Sequence, residues 1–227
     1  MINLYRGVKS AHLNQPFGYN LACAKLDANG QPIRPFQIIT IAASAPVPAG
    51  YARFYPLIGL AGHNGRDWMA FRSEPVYFSA TDGNINPIEG ICYTEIDQDG
   101  GKGVNILFKD PDTGAWYQLK EWHLLEHKVY DGQRIKSGDL IGLADSTGAS
   151  SGDHLHDGFK PLASEKLEDK KYPNNGYYGG VDPAKEQGIN DYQESSFILD
   201  VLNLKQQLTL LQRINQLLLA IKNLKGR

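Results

Sequence analysis

Cysteine is scarce in this chain: Cys23 and Cys92 are the only two in 227 residues. Two distant cysteines cannot make the dense cross-linking that stabilises small secreted scaffolds, so a hydrophobic core must carry the fold. They either pair with each other or stand as two free, semi-buried thiols, and the second is the expectation. Charge of one sign is also lacking. With 23 Lys and Arg against 25 Asp and Glu, the formal net charge is −2. That balance leaves no electrostatic footprint for nucleic acid, nor a bulk field that would draw in an anionic polymer. No apolar run reaches the roughly 18 residues of a membrane-spanning helix. The opening Met1-Ile2-Asn3-Leu4-Tyr5-Arg6 leads into polar residues, without the apolar stretch of a secretion signal.

Hydrophobic residues make up 41% of the chain, enough for a core, and 24 glycines and 12 prolines supply many turns. The length suits one domain of ordinary size plus an appendage, and the turn content suits a mainly β fold. Val104 to Phe108 reads as a strand, Asp110-Pro111-Asp112-Thr113-Gly114 as a turn, and Trp116 to Leu119 as the partner strand.

Histidines carry the strongest signal. In Gly152-Asp153-His154-Leu155-His156 two imidazoles flank one leucine, after a Gly/Ser-rich loop. Residues i and i+2 of a strand share a face, so both rings would project into one site while Leu155 turns away. His63-Asn64-Gly65-Arg66-Asp67 lies upstream and Glu121-Trp122-His123-Leu124 lies between. A catalytic zinc takes three protein ligands and keeps a fourth position open for water. His63, Asp67 and His156 make such a set. His123 and His154 are then unligated imidazoles, free to move protons or to stabilise a developing oxyanion.

Taken together, these blocks resemble the lysostaphin-type zinc metallopeptidases, which cleave peptidoglycan peptides. The resemblance covers roughly residues 14 to 186. Gln15-Pro16-Phe17-Gly18-Tyr19-Asn20 resembles the family's opening strand, and Gly62 to Asp67 its first metal block. Val76 to Gly83 resembles the strand and turn that follow. Trp122-His123-Leu124 resembles the middle histidine block, Asp131 to Gly142 the hairpin after it, and Ser146 to His156 the final block. The resemblance implies an antiparallel β-sheet peptidase core, one zinc per chain held by His63, Asp67 and His156, and His123 and His154 as the catalytic pair. It also matches Tyr55 to a tyrosine that in some relatives stabilises the tetrahedral intermediate, although Tyr51 is nearby and the spacing to His63 differs by one residue. Asn20 matches a position near the cleft, or is simply a turn residue. After His156 the chain departs from the family pattern with Asp157-Gly158-Phe159. Asp157 is either a partner for a ligand or a strand-end charge.

Residues 24 to 54 depart from the compact form of the family. Leu26 to Gly30 reads as a turn, Phe36 to Ala42 as a strand and Ala43 to Gly50 as an irregular loop. This insertion either walls the cleft or is neutral decoration. Residues 164 to 180 read as a long polar loop at the rim of a groove. Beyond Gln193 the pattern changes. Val201, Leu204, Leu208, Leu211 and Leu218 form one stripe at helical spacing. Leu210, Ile214, Leu217, Ile221 and Leu224 form a second. The division is therefore a peptidase domain over 1–193 and a long C-terminal helix over 194–227, with the helix itself expected over 195–225. The helix packs on its own domain, lies on a membrane surface, or serves self-association or anchoring in a larger particle; the last is the expectation.

The expected function is zinc-dependent hydrolysis of peptide cross-links or bridges in peptidoglycan, by a protein carried in a phage particle or released by lysis. The alternative is a structural or assembly module of such a particle that keeps the peptidase fold without turnover.

Overall fold

The computed structural model describes residues 1–191 and 196–225, with side chains as far as residue 222. In chain order the strands are β1 (Ile2–Leu4), β2 (Leu13–Gln15), β3 (Ala22–Lys25), β4 (Ile38–Thr40) and β5 (Tyr51–Arg53). A single helical turn, α1 (Phe54–Leu57), leads to β6 (Arg66–Met69), β7 (Pro75–Tyr77), β8 (Ala80–Asp82), β9 (Glu89–Asp97) and β10 (Gly101–Lys109). Then come β11 (Trp116–Trp122), β12 (Leu124–His127), β13 (Arg134–Lys136), β14 (Leu140–Ala144), β15 (His154–Leu162) and β16 (Ile189–Asp191). The helix α2 (Ile198–Lys225) closes the described chain.

Seven strands form the central sheet in the order β13-β9-β10-β11-β15-β6-β2, and every neighbouring pair is antiparallel. Its two faces do different work. Val104, Ile106 and Phe108 of β10, Leu119 of β11, Leu155 and Phe159 of β15 and Trp68 of β6 alternate onto one face and bury against Phe78, Ile141 and Val76. The other face of the same strands carries Asp67, His156 and, on β11, Lys120 and Trp122, as the period of two requires. A one-residue slip of β15 would exchange the two sets, so burial of Leu155 and Phe159 fixes where the histidines point.

The turn expected at Asp110–Gly114 is present, with Gly114 at φ 77° and its N–H donating to Asp110 O at 2.9 Å. The expected hairpin over Asp131–Gly142 is not one. β13 pairs with β9 in the central sheet, whereas β14 pairs with β12 and β7 in a separate three-stranded sheet. Gly138, at φ 89°, turns the chain between them. Residues 24–54 build another small sheet, β4-β3-β5, with its own cluster around Phe54 and Tyr55. Cys23 and Cys92 are both free and wholly buried, Cys92 in the main core and Cys23 on β3 of the small sheet.

The expected helix start at residue 195 and the boundary at 193–194 lie outside the described residues. α2 is rooted in the domain: Arg6 N–H donates to Ser196 O at 3.0 Å, and Ile198 N–H donates to Arg6 O at 3.2 Å. Ile198 is fully buried, and Leu199 and Leu202 close over Gly138. From Leu204 onward its large apolar side chains are exposed, Leu217 by 64% and Leu218 by 58%. No helix among the described residues is long and apolar enough to cross a membrane.

Candidate metal centre and active-site cleft

His63 lies in the turn before β6, Asp67 is the second residue of β6, and His156 is the third of β15. β6 and β15 pair in register with Asp67 opposite His156, which sets those side chains shoulder to shoulder. His63 Nε2 is 3.0 Å from Asp67 Oδ1 and 2.9 Å from His156 Nδ1, and that nitrogen is 3.1 Å from the same carboxylate oxygen. Among the described residues these form the one group of His, Cys, Asp and Glu with converging ligand atoms. The ring of His63 is oriented from behind: Nδ1 lies 3.1 Å from Pro16 O, a group that only accepts, so the proton sits on Nδ1 and the Nε2 lone pair faces Asp67 and His156. Three electron-rich atoms facing one another are stable around a cation. Zinc with ligands near 2.05 Å places them about 3.3 Å apart, close to the spacings found, so the donor set fits a zinc ion.

Electrostatics agree with ligands in their binding forms. Burial alone would raise Asp67, but positive charge on His63 and His154 holds its carboxyl well below the usual carboxylate range, and a metal cation, with those imidazoles neutral, would supply that charge instead. Burial pushes His156 down to about 4, so its imidazole is neutral at physiological pH. Gly65 makes the contact possible: a Cβ there would lie 2.5 Å from His156 Nε2 and 2.6 Å from Asp157 O.

His123 and His154 face the same space without joining the three-atom cluster. Their rings are 4.6 Å apart, and the His123 ring is 5.9 Å from that of His156. His123 Nδ1 lies 2.6 Å from Thr147 O and His154 Nδ1 lies 2.8 Å from Gly152 O, so both rings carry their proton on Nδ1 and turn a bare Nε2 toward the cleft. His123 also holds φ at 64°, a left-handed conformation uncommon outside glycine, at the junction of β11 and β12. Burial, with His154 and His156 nearby, lowers it to about 3, so it is a neutral acceptor.

These groups line a cavity of about 450 Å³. Tyr55 lies in the cavity wall. Its ring is 5.7 Å from that of His63, and its hydroxyl donates to Gln15 Oε1 at 2.7 Å. Burial and the charge of Asp67 raise its phenol far above the ordinary value, so it is a neutral donor. The 24–54 segment contributes Ile38 and Phe54 to this wall, and Tyr178 brings in the polar loop, its hydroxyl on Ile58 O at 2.7 Å. Asn20 is exposed and takes no part in the lining; its carbonyl accepts from Arg53.

Asp157 is neither a partner for a metal ligand nor a strand-end charge. Its side chain falls on the core face, with Arg66 and Glu121 opposite it in the flanking strands. No oxygen of the Asp157 or Glu121 carboxyls has a hydrogen-bond partner among the described residues, and burial raises both, Asp157 to about 7. Lys120 and Lys160, which the sequence reading passed over, lie on the cleft face of β11 and β15.

The class this geometry defines is a protein with a candidate metal centre in an open cleft. Residues 61–166, which contain the five residues His63, Asp67, His123, His154 and His156, match the model of peptidase family M23. The chain is 34% identical over 105 residues to an uncharacterised metalloprotease of Haemophilus influenzae, covering 46% of this chain and 20% of that protein. It is 28% identical over 169 residues to the peptidoglycan DD-endopeptidase ShyC of Vibrio cholerae, covering 74% and 33%. It is 33% identical over 103 residues to the glycyl-glycine endopeptidase ALE-1 of Staphylococcus capitis, covering 45% and 26%. The chain thus spans between a fifth and a third of the length of these relatives. Among solved structures, the catalytic domain of lysostaphin from Staphylococcus simulans is 23% identical with a TM-score of 0.39, over 55% of this chain and 77% of that one.

Proposed function

We propose that this protein is a zinc-dependent endopeptidase that hydrolyses peptide cross-links or bridges of bacterial peptidoglycan. The observation that carries the reading is the convergence of His63 Nε2, Asp67 Oδ1 and His156 Nδ1 in a cleft whose other side holds two proton-accepting imidazoles. One relative named as a peptidoglycan DD-endopeptidase and another named as a glycyl-glycine endopeptidase support the choice of substrate. Bound zinc would polarise the scissile carbonyl and lower the pKa of water to about 7. His123, whose Nε2 lone pair is held toward the cleft by the Thr147 carbonyl, takes the proton of the attacking water. That same proton then passes to the leaving amine by way of His154, which Gly152 O fixes with its ring 4.6 Å from that of His123. The neutral hydroxyl of Tyr55 is the donor for the oxygen on which charge develops, once it turns from Gln15. The Ile38 and Phe54 wall restricts which peptides enter.

The exposed leucines of α2 suit self-association or anchoring in a larger particle, since so broad an apolar arc is not stable against water. Delivery in a phage particle or by lysis goes with this reading. The test of the centre is metal analysis of the wild type and His63→Ala. The wild type should carry one zinc per chain and the variant none. A His63→Ala protein fully loaded with zinc would overturn the ligand assignment.

A further inference from the structure

Beyond His156 the cleft face of β15 continues with Gly158 and Lys160, and β11 sets Lys120 opposite Gly158 and Gln118 opposite Lys160. Gly158 leaves the floor open. A Cβ there would sit 3.6 Å from both His156 Nε2 and Lys120 Cβ, so a longer side chain would come between the metal centre and the lysines. Lys120 and Trp122 line the same cavity as His123, His154 and His156. The Lys120 ammonium is fixed 4.0 Å over the Trp122 ring and 3.3 Å from Glu95 Oε2. Lys160 is different. The residue is only 5% exposed, and no carboxylate is paired with it in the way that Glu95 is paired with Lys120. Its charged neighbours are Lys120, Lys170 and the single carboxylate of Glu95, which Lys120 and Asn105 already engage. Gln118 Oε1, also buried and unpartnered, would use only one of its three N–H groups.

An ammonium with little water around it and two others nearby costs stability unless an anion completes it. Burial, then Lys120 and Lys170, push Lys160 down to about 7, which measures that cost. Such a group is kept at a place where the missing charge comes with the ligand.

We propose that Lys160, together with Lys120, is a carboxylate subsite of the substrate groove: the peptide that this centre cleaves carries a carboxylate, which passes over Gly158 and docks between the two ammonium groups. The inference rests on the reading of the cleft as a peptidase centre. Four residue steps of strand lead from His156 to Lys160, about 13 Å, so the carboxylate belongs to a residue several positions removed from the scissile amide. A chain-terminal and a side-chain carboxylate have the same chemistry here.

The test uses the zinc-loaded full chain and a cross-linked stem-peptide dimer in three forms: free carboxylates, amidated chain termini, and amidated side chains. One amidation should raise KM about ten-fold or more, the usual worth of a charge-assisted hydrogen bond, and so identify the source of the anion. In Lys160→Met the ratio of kcat/KM between acid and amide forms should fall toward one. That variant should also melt no lower than wild type, because it relieves the repulsion from Lys120 and Lys170, so loss of fold will not mimic the result. Equal kcat/KM for all three forms in the wild type, or an undiminished preference in Lys160→Met, overturns the subsite. If no form is cleaved, the peptidase reading fails by itself. Titration of the labelled lysine side chains by NMR then still decides the subsite, since the acid form should shift Lys160 and the amide should not.

Discussion

Gly65→Ala is the substitution that most sharply probes how the metal centre is built. The new Cβ would lie 2.5 Å from Nε2 and 2.7 Å from Cε1 of His156, and 2.6 Å from Asp157 O. Favourable contacts between such atoms begin near 3.5 Å, so ring or backbone must give way by roughly 1 Å. Metal–ligand distances tolerate about 0.2 Å. The displaced atom belongs to the ring whose Nδ1 meets His63 and Asp67, so the strain falls on the centre itself. Disturbing the support of a ligand typically lowers metal affinity about 10–100-fold, and direct displacement should reach the upper end of that range or beyond. Gly158→Ala is the matched control. It abuts the same nitrogen, but at 3.6 Å, an ordinary contact, and neither glycine has positive φ, so backbone strain does not distinguish the two. Competition for zinc against a chromogenic chelator measures both. Gly65→Ala should bind far more weakly and Gly158→Ala like the wild type. Equal affinity for zinc in Gly65→Ala and the wild type would refute the argument that this close approach sets the ligand geometry.

His123→Ala and His154→Ala should each keep zinc while losing about 10²–10⁴-fold in turnover; loss of zinc from either, by metal analysis, would reassign it as a ligand. Asp157→Asn should flatten the dependence of melting temperature on pH. Burial raises Asp157 to about 7 in the folded chain, so the stability that its protonated form provides is complete below its unfolded value and is lost as pH rises to about 7. The variant should therefore gain on the wild type across that window, and parallel curves would show that the buried pair is not the cause. Removing the chain from Asn203 onward spares Ile198, Leu199 and Leu202, which pack on the domain. Light scattering should find the full chain associated and the shortened one monomeric, both zinc-loaded. A monomeric full chain would remove the self-association reading of α2.

The residues of the candidate metal centre could be singled out in the sequence because their chemistry depends on residue type and local spacing. The His154-Leu155-His156 alternation says which residues share a face, and the structure brings His63, Asp67, His123 and His154 to the same cleft. Local turn chemistry was equally readable at Asp110–Gly114. What depends on pairing across the sheet was not. Asp131–Gly142 has the composition of a hairpin, yet its two strands part because each finds a better partner elsewhere, β9 for one and β7 with β12 for the other. Asp157 could be placed on the core face only once β15 was registered against β6 and β11. Lys120 and Lys160 are unremarkable in isolation. Their meaning comes from lying on adjacent strands beside Gly158, although the i+4 spacing of Lys160 from His156 in a strand was a signal that could have been followed. The role of residues 24–54 likewise needed the small sheet that sets Ile38 and Phe54 into the cavity wall.

The most direct test of the central claim is digestion of purified peptidoglycan by the zinc-loaded protein, with the products identified by mass spectrometry. The account predicts fragments that have gained one water at a peptide bond and expose a new amine, with the glycan strands intact. Their formation should stop on chelation of zinc and in His63→Ala. Undigested peptidoglycan, cleavage within the glycan, or full activity in His63→Ala would contradict it.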